Sequence, residues 1–418
     1  MTPKMAYNYG VVSADLATVN SKKKHAELQR FLKLPKNQSF FLFGPRGSGK
    51  STLINNNFNN SKTMLLNLLD PVLEERLIRN PRLLIEMVNA AGKSINHVFI
   101  DEVQKIPKLL DLVHLLIETT SLKFILTGSS ARKLKHGGAN LLAGRAFVYN
   151  LYPFSFFELN NLSLKQVLEW GLLPKIFHLR SKDEKTRFLQ SYAYTYLKEE
   201  IWAEQFIKNL DPFRYFLEVA AQMNGKVLNF SNIARDTGVD DKTVKNYYSI
   251  LEDTLIGFNL NPFNHSFRKR LNGKPKFYFF DTGVVRALRN ILNVSLEEST
   301  SLYGETFEHF IILECIKLAN YFRPDYRFSY LMTKDGAEVD LIVERPGKKY
   351  LFIEIKSSKN VSEFNLNTLA KLSEDFNAAS SLGSEALCFS NDDCKRKLAN
   401  GVMVYPWLEG LKKYFLKG

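Results

Sequence analysis

Two short stretches hold residues whose types and spacing could do chemistry. In the first, Gly44, Gly49, Lys50 and Ser51 fit the pattern G-x-x-x-x-G-K-[ST]. The loop runs Gly44, Pro45, Arg46, Gly47, Ser48, Gly49, Lys50, Ser51, Thr52. Its chemistry would be phosphate binding: loop N–H groups and the start of the following helix face phosphate oxygens, Lys50 reaches the β- and γ-phosphates of ATP, and Ser51 ligates Mg²⁺. The second stretch, EVDLIVERPGKKYLFIEIKSS (Glu338 to Ser358), reads as two strands joined by a Pro-Gly turn and carries Asp340, Glu354 and Lys356. Burying one carboxylate among apolar residues is costly without a cation, and a second nearby raises that cost. The pair therefore wants a metal or a proton, unless it is simply a solvated acidic face. Asp340 and Glu354 on adjacent strands could share one Mg²⁺ or Mn²⁺, hard cations that take oxygen ligands. Lys356, two residues after Glu354, lies on the same strand face. It could orient a hydrolytic water or stabilise the charge of a phosphate under attack.

These residues need elements to hold them. FFLF precedes the loop as an apolar strand, and a helix follows it. HVFIDEVQKI is a second apolar strand, ending in Asp101 and Glu102. A carboxylate there belongs in the Mg²⁺ shell, and its neighbour can activate the attacking water. A third strand, KFILTGSS, ends near Ser129, placed to sense a γ-phosphate. Arg145 closes a helical stretch before the strand AFVYNLYP; it could reach the nucleotide of a neighbouring subunit or be a surface arginine. Farther on, an amphipathic helix carries Glu308 near its start, as an outer metal ligand, and leads through the strand YRFSYLMT into the acidic hairpin.

Between these halves, Phe230 to Thr254 has the pattern of a helix, a Gly-centred turn and a second helix, with Ile233, Val239, Val244, Tyr248 and Leu251 as its apolar skeleton. Lys242, Lys245, Asn246 and Ser249 fall on the outer face of the second helix. Two strands then flank a connection holding Arg268, Lys269, Arg270, Lys274 and Lys276 with no acidic residue. Two strands after a helix-turn-helix make a winged helix, and this basic connection would be its wing, giving salt-sensitive phosphate contacts to DNA. Packing against the rest of the chain, with the lysines merely solvated, is the alternative.

The bulk composition fits these readings. The chain has 418 residues, 45% hydrophobic and 24% charged, room for two to four domains. A net charge of +14 favours a polyanionic partner. Cys315, Cys388 and Cys394 lack metal-ligand spacing and an even count, which points to a reduced, cytoplasmic protein rather than a disulfide scaffold. The first residues carry no basic-then-apolar signal, and no uncharged apolar run is long enough to span a membrane.

The loop, IDEVQK, TGSSARKLKHGGANLLAGR and LYPFSFFEL together resemble the prokaryotic AAA-type P-loop ATPases with a C-terminal restriction-endonuclease-like domain of unknown function. GLLPKIF (Gly171 to Phe177) sits where that family has a Gly-Gly-x-Pro stretch in its helical lid, with leucine in place of the second glycine. FDTGVVRAL resembles the family's Asp-Thr-Gly turn. The resemblance implies an α/β chain: an N-terminal helical segment (1–36), a P-loop core (37–160), a helical lid (161–222), a winged helix (223–290) and a restriction-endonuclease-like domain (300–418). It implies ATP and Mg²⁺ as cofactors and a homo-oligomer, such as a ring. The expected function is an ATP-hydrolysing motor or remodeller acting on DNA, with a metal-dependent nuclease-like domain. The alternative is a nucleotide-dependent switch or scaffold for a protein partner, whose accessory domains serve packing or DNA clamping only.

Overall fold

All five residues of Ser39–Phe43 (β1) are buried, a pattern that suits an inner strand of a parallel sheet covered on both faces. The computed structural model, which describes residues 29–130, 142, 144–196, 210–264 and 273–416, places β1 in such a sheet. The other strands are Thr63–Asn67 (β2), His97–Asp101 (β3), Lys123–Gly128 (β4) and Ala146–Asn150 (β5), in the order β2-β3-β4-β1-β5 and all parallel. Parallel neighbours need crossovers. Helices Lys50–Phe58 (α1), Pro71–Arg79 (α2), Leu83–Ala91 (α3) and Leu109–Thr119 (α4) supply them. Because β4 lies between β1 and β3, the ends of these three strands bring the loop, Asp101–Glu102 and Ser129 to one edge. Side-chain alternation sends Phe41, Ile100 and Phe124 into one core and Phe40, Phe99 and Ile125 into another.

Residues 29–36 run as coil, although a helical segment was expected through residue 36. Pro35 disfavours a helical Leu34, and Arg30 is engaged elsewhere, as described below.

Helices Leu164–Trp170 (α5), Lys182–Ser191 (α6) and Leu210–Gln222 (α7) lead into Phe230–Thr237 (α8) and Asp241–Asp253 (α9). Gly238, in the left-handed region, ends α8, and Asp240 caps α9 by accepting from Thr243 N at 2.9 Å. Gly257–Leu260 (β6) and Lys276–Phe279 (β7) follow as an antiparallel ribbon. Arg268, Lys269 and Arg270, the expected wing, lie outside the described residues.

The Asp-Thr-Gly turn has a structural role. Buried Asp281 caps Thr282–Leu288 (α10) by accepting from Val284 N at 3.1 Å. Its other oxygen accepts from Leu172 N at 2.7 Å. Burial raises its pKa, while the bond from Leu172 favours its ionised form. A side chain at Gly171 or Gly283 would collide with Asp281 or with the Trp170 carbonyl, so both glycines are needed where α10 meets α5.

Ser301–Phe322 (α11) opens the C-terminal domain. It packs on a mixed sheet of Arg327–Met332 (β8), Glu338–Glu344 (β9), Tyr350–Lys356 (β10), Ser384–Ser390 (β11), Arg396–Lys397 (β12) and Met403–Pro406 (β13), in the order β12-β13-β11-β10-β9-β8. Glu314 of α11 is fully buried against the chain that leaves β5. It accepts from Ser155 Oγ at 2.6 Å, Phe156 N at 3.0 Å and Lys317 Nζ at 3.2 Å. Lys317 also donates to Phe154 O at 3.1 Å. No helix among the described residues is long and apolar enough to cross a membrane.

Candidate nucleotide site and acidic centre

Gly44 and Gly49 are needed where they stand. A Cβ on Gly44 would strike the Leu151 carbonyl, and Gly49 has φ 96°, which other residues rarely adopt. Gly49 is also the N-cap of α1, so the helix begins where the phosphates would sit. Lys50 is buried and folds back on the loop, donating to Gly44 O at 2.7 Å. Ser51 Oγ donates to Asp101 Oδ2 at 3.0 Å, and Thr127 Oγ1 donates to the other Asp101 oxygen. A hydroxyl and a carboxylate oxygen held this close fit the Mg²⁺ that accompanies a nucleotide; that ion would neutralise charge on the phosphates.

Glu102 occupies the left-handed region at φ 60°, uncommon for a non-glycine residue. Its carboxylate accepts from Gln104 Nε2 at 2.5 Å, and the same amide nitrogen lies 3.0 Å from Ser129 Oγ. Gln104 thus ties the expected base to the expected sensor, a link the motif reading did not include. Gln104 is buried, its Oε1 has no hydrogen-bond partner among the described residues, and Gly128 leaves the space it fills. Replacing Gln104 with Leu is expected to slow ATP hydrolysis about tenfold, the loss of one to two hydrogen bonds, with ATP affinity unchanged. A rise in KM with the rate preserved would assign Gln104 to binding instead.

Three further contacts on the loop were not legible in the motifs. Arg30 donates to Ser48 O at 3.0 Å and Tyr152 O at 2.6 Å, pairs with Glu158 at 3.1 Å, and lies over the Phe154 ring. Tyr192 OH donates to Arg46 O at 2.7 Å. Pro174 stands 3.8 Å from where a Gly49 side chain would begin. Leucine at the second glycine position therefore leaves Pro174 against the loop. None of these contacts could be found from local spacing, because each joins residues far apart in the chain.

Arg145 is exposed and pairs with Glu118 of α4. The parallel pairing sets Ala146 beside Ser39, at the far end of β1 from the loop. Five strand residues, about 16 Å, separate Arg145 from its own chain's phosphate site. It does not reach its own chain's phosphate site.

In the C-terminal domain, the β9–β10 ladder ends with Ile353 paired to Leu341, and the next residues in that register are Glu354 and Asp340. Asp340 Oδ2 accepts from Ile355 N at 2.7 Å, and Lys356 Nζ donates to Glu354 Oε1 at 2.6 Å. Glu308 Oε1 accepts from Tyr278 OH at 2.9 Å. Burial, reinforced by Asp340, pushes the pKa of Glu308 up to about 8 and that of Glu354 up to about 7; burial also raises Asp340. Among the described residues no group of three or more His, Cys, Asp or Glu side chains is arranged to hold a metal ion. Each expected ligand is instead taken up by an internal donor. Lys242, Lys245, Asn246 and Ser249 all lie exposed along α9, and Lys274 is exposed just before β7.

Residues 36–160 match a family described as an AAA domain. Residues 161–295, where lid and winged helix were expected, match a single domain of unknown function (DUF8612). Residues 303–410 match another (DUF4143). An uncharacterized protein of Mycobacterium tuberculosis is 27% identical over 324 residues, 77% of this chain and 70% of its own. An uncharacterized protein of Methanocaldococcus jannaschii is 23% identical over 407 residues, covering 83% of each chain. Domain III of the Thermotoga maritima replication initiation protein DnaA aligns with 52% of this chain and 85% of its own, at 15% identity and a TM-score of 0.22, too low to bear on the fold. The AAA match and the parallel sheet around the loop identify an AAA-type P-loop ATPase-like domain within this chain.

Proposed function

We propose that the chain binds and hydrolyses ATP to act on DNA as a motor or remodeller, with α8, α9 and the ribbon serving as a winged-helix DNA contact. The observation that carries the catalytic half is the junction of Lys50, Ser51, Asp101, Glu102 and Ser129 at one sheet edge, closed over by Arg30, Pro174 and Tyr192. In this reading Lys50 turns from the loop carbonyls to the phosphates, Glu102 accepts the proton of the attacking water, and Ser129 reports the γ-phosphate. The exposed lysines of α9 and the charge of +14 support the DNA half. Arg145 then acts in a homo-oligomer, on the site of a neighbouring copy.

For the C-terminal domain, DNA clamping suits the geometry better than cleavage, since its carboxylates are already taken up internally. A second reading, the nucleotide-dependent switch for a protein partner, is favoured by one observation: buried polar contacts at Glu314 fasten the C-terminal domain to the core.

Reversing Lys242 and Lys245 to Glu separates the two. Under the DNA reading, the dependence of DNA affinity on salt becomes shallower by about two phosphate contacts, and DNA no longer stimulates ATP hydrolysis. Unchanged DNA affinity with unchanged hydrolysis would leave the protein-partner reading.

A further inference from the structure

Lys276 opens β7, in the unit between the ATPase-like core and the C-terminal domain. Its side chain is 5% exposed, yet it is an ammonium. Strand alternation puts Lys276 and Tyr278 on one face of the ribbon, and that face meets the C-terminal domain. The ammonium pairs with Glu338, the first residue of β9, and stands 3.9 Å from Glu308. It also lies 5.4 Å from the centre of the Tyr330 ring. Tyr278 OH completes the contact on Glu308. One side-chain and two backbone bonds hold the approach: Tyr330 OH donates to Lys274 O at 2.6 Å, Phe263 N donates to Tyr330 O at 2.6 Å, and Tyr330 N donates to Asn261 O at 3.1 Å. A buried ammonium is tolerated only with close anionic partners, and here they come from a different domain.

The acidic hairpin invites a divalent cation, and the side chains around it do not fit one. Asp340, Glu354 and Glu308 are engaged by Ile355 N–H, Lys356 and Tyr278, and no metal-holding group of three is present among the described residues. We infer that Lys276 is the built-in cation of this centre: it latches the ribbon onto Glu308 and Glu338 and keeps a divalent ion out while it is seated. The inference concerns the joint between two domains and stands apart from the ATP and DNA reading.

The test is titration calorimetry of Mn²⁺ into the nucleotide-free full chain, comparing wild type, Asp340→Asn, Lys276→Met and the double variant. Wild type and Asp340→Asn should give the same isotherm, because the latched centre takes no metal. Lys276→Met should gain Mn²⁺ binding at least tenfold tighter than any binding in wild type, and the double variant should lose that gain. Weaker Mn²⁺ binding by Asp340→Asn than by wild type would overturn the latch, as would a Lys276→Met protein that gains none. Should Lys276→Met fail to fold, the wild type and Asp340→Asn pair alone decides.

Discussion

Glu102→Gln is expected to slow ATP hydrolysis by about 10²–10⁴-fold, the usual contribution of a positioned general base, while ATP binding persists. The amide keeps the size of the carboxylate and can still meet Gln104, so the backbone at φ 60° need not move. What is lost is a group able to take a proton. Single-turnover hydrolysis beside nucleotide affinity is the measurement. Turnover near wild type would remove Glu102 from the proposed role and leave Asp101 or a water chain as the proton acceptor.

The largest effect on stability is expected at Glu314. Replacing it with Ala leaves Lys317, 2% exposed, as a buried ammonium beside apolar side chains, and leaves the Ser155 hydroxyl and Phe156 N–H without their acceptor. Breaking a buried pair in this way costs about 3–5 kcal/mol. Denaturant unfolding should show it as a lower midpoint. Glu314→Leu combined with Lys317→Met should recover much of the loss, since well-packed apolar replacements of buried pairs are often near neutral. A loss under about 1 kcal/mol for Glu314→Ala would mean that the junction is solvated rather than dry.

The nucleotide residues were readable in the sequence because a phosphate loop depends on contiguous backbone. Glycines at Gly44 and Gly49, a lysine, a hydroxyl and an apolar strand before them are all local requirements. The same holds for the strand ending at Asp101 and for the capped helices of residues 230–253. The parallel order of the strands was not readable, nor were the contacts of Arg30, Tyr192, Gln104 and Lys276. Lys276 shows why. By type and neighbourhood it belongs with Arg268, Lys269, Arg270 and Lys274 in a basic connection. Lys276 opens β7, and the ribbon seats it against the C-terminal domain, while Lys274, before the strand begins, stays exposed. Only tertiary packing distinguishes a lysine for solvent from one for a buried carboxylate.

The clasp on Glu314 has a consequence for how the chain is made. Ser155 and Glu314 are 159 positions apart. At ribosomal rates of about 5–20 residues per second, the ATPase-like sheet leaves the exit tunnel roughly 8–30 s before its clasping helix exists. During that interval the segment after β5, with Phe154, Phe156 and Phe157, lacks the helix it packs against. The nascent core thus completes its packing only after α11, Ser301–Phe322, has been made.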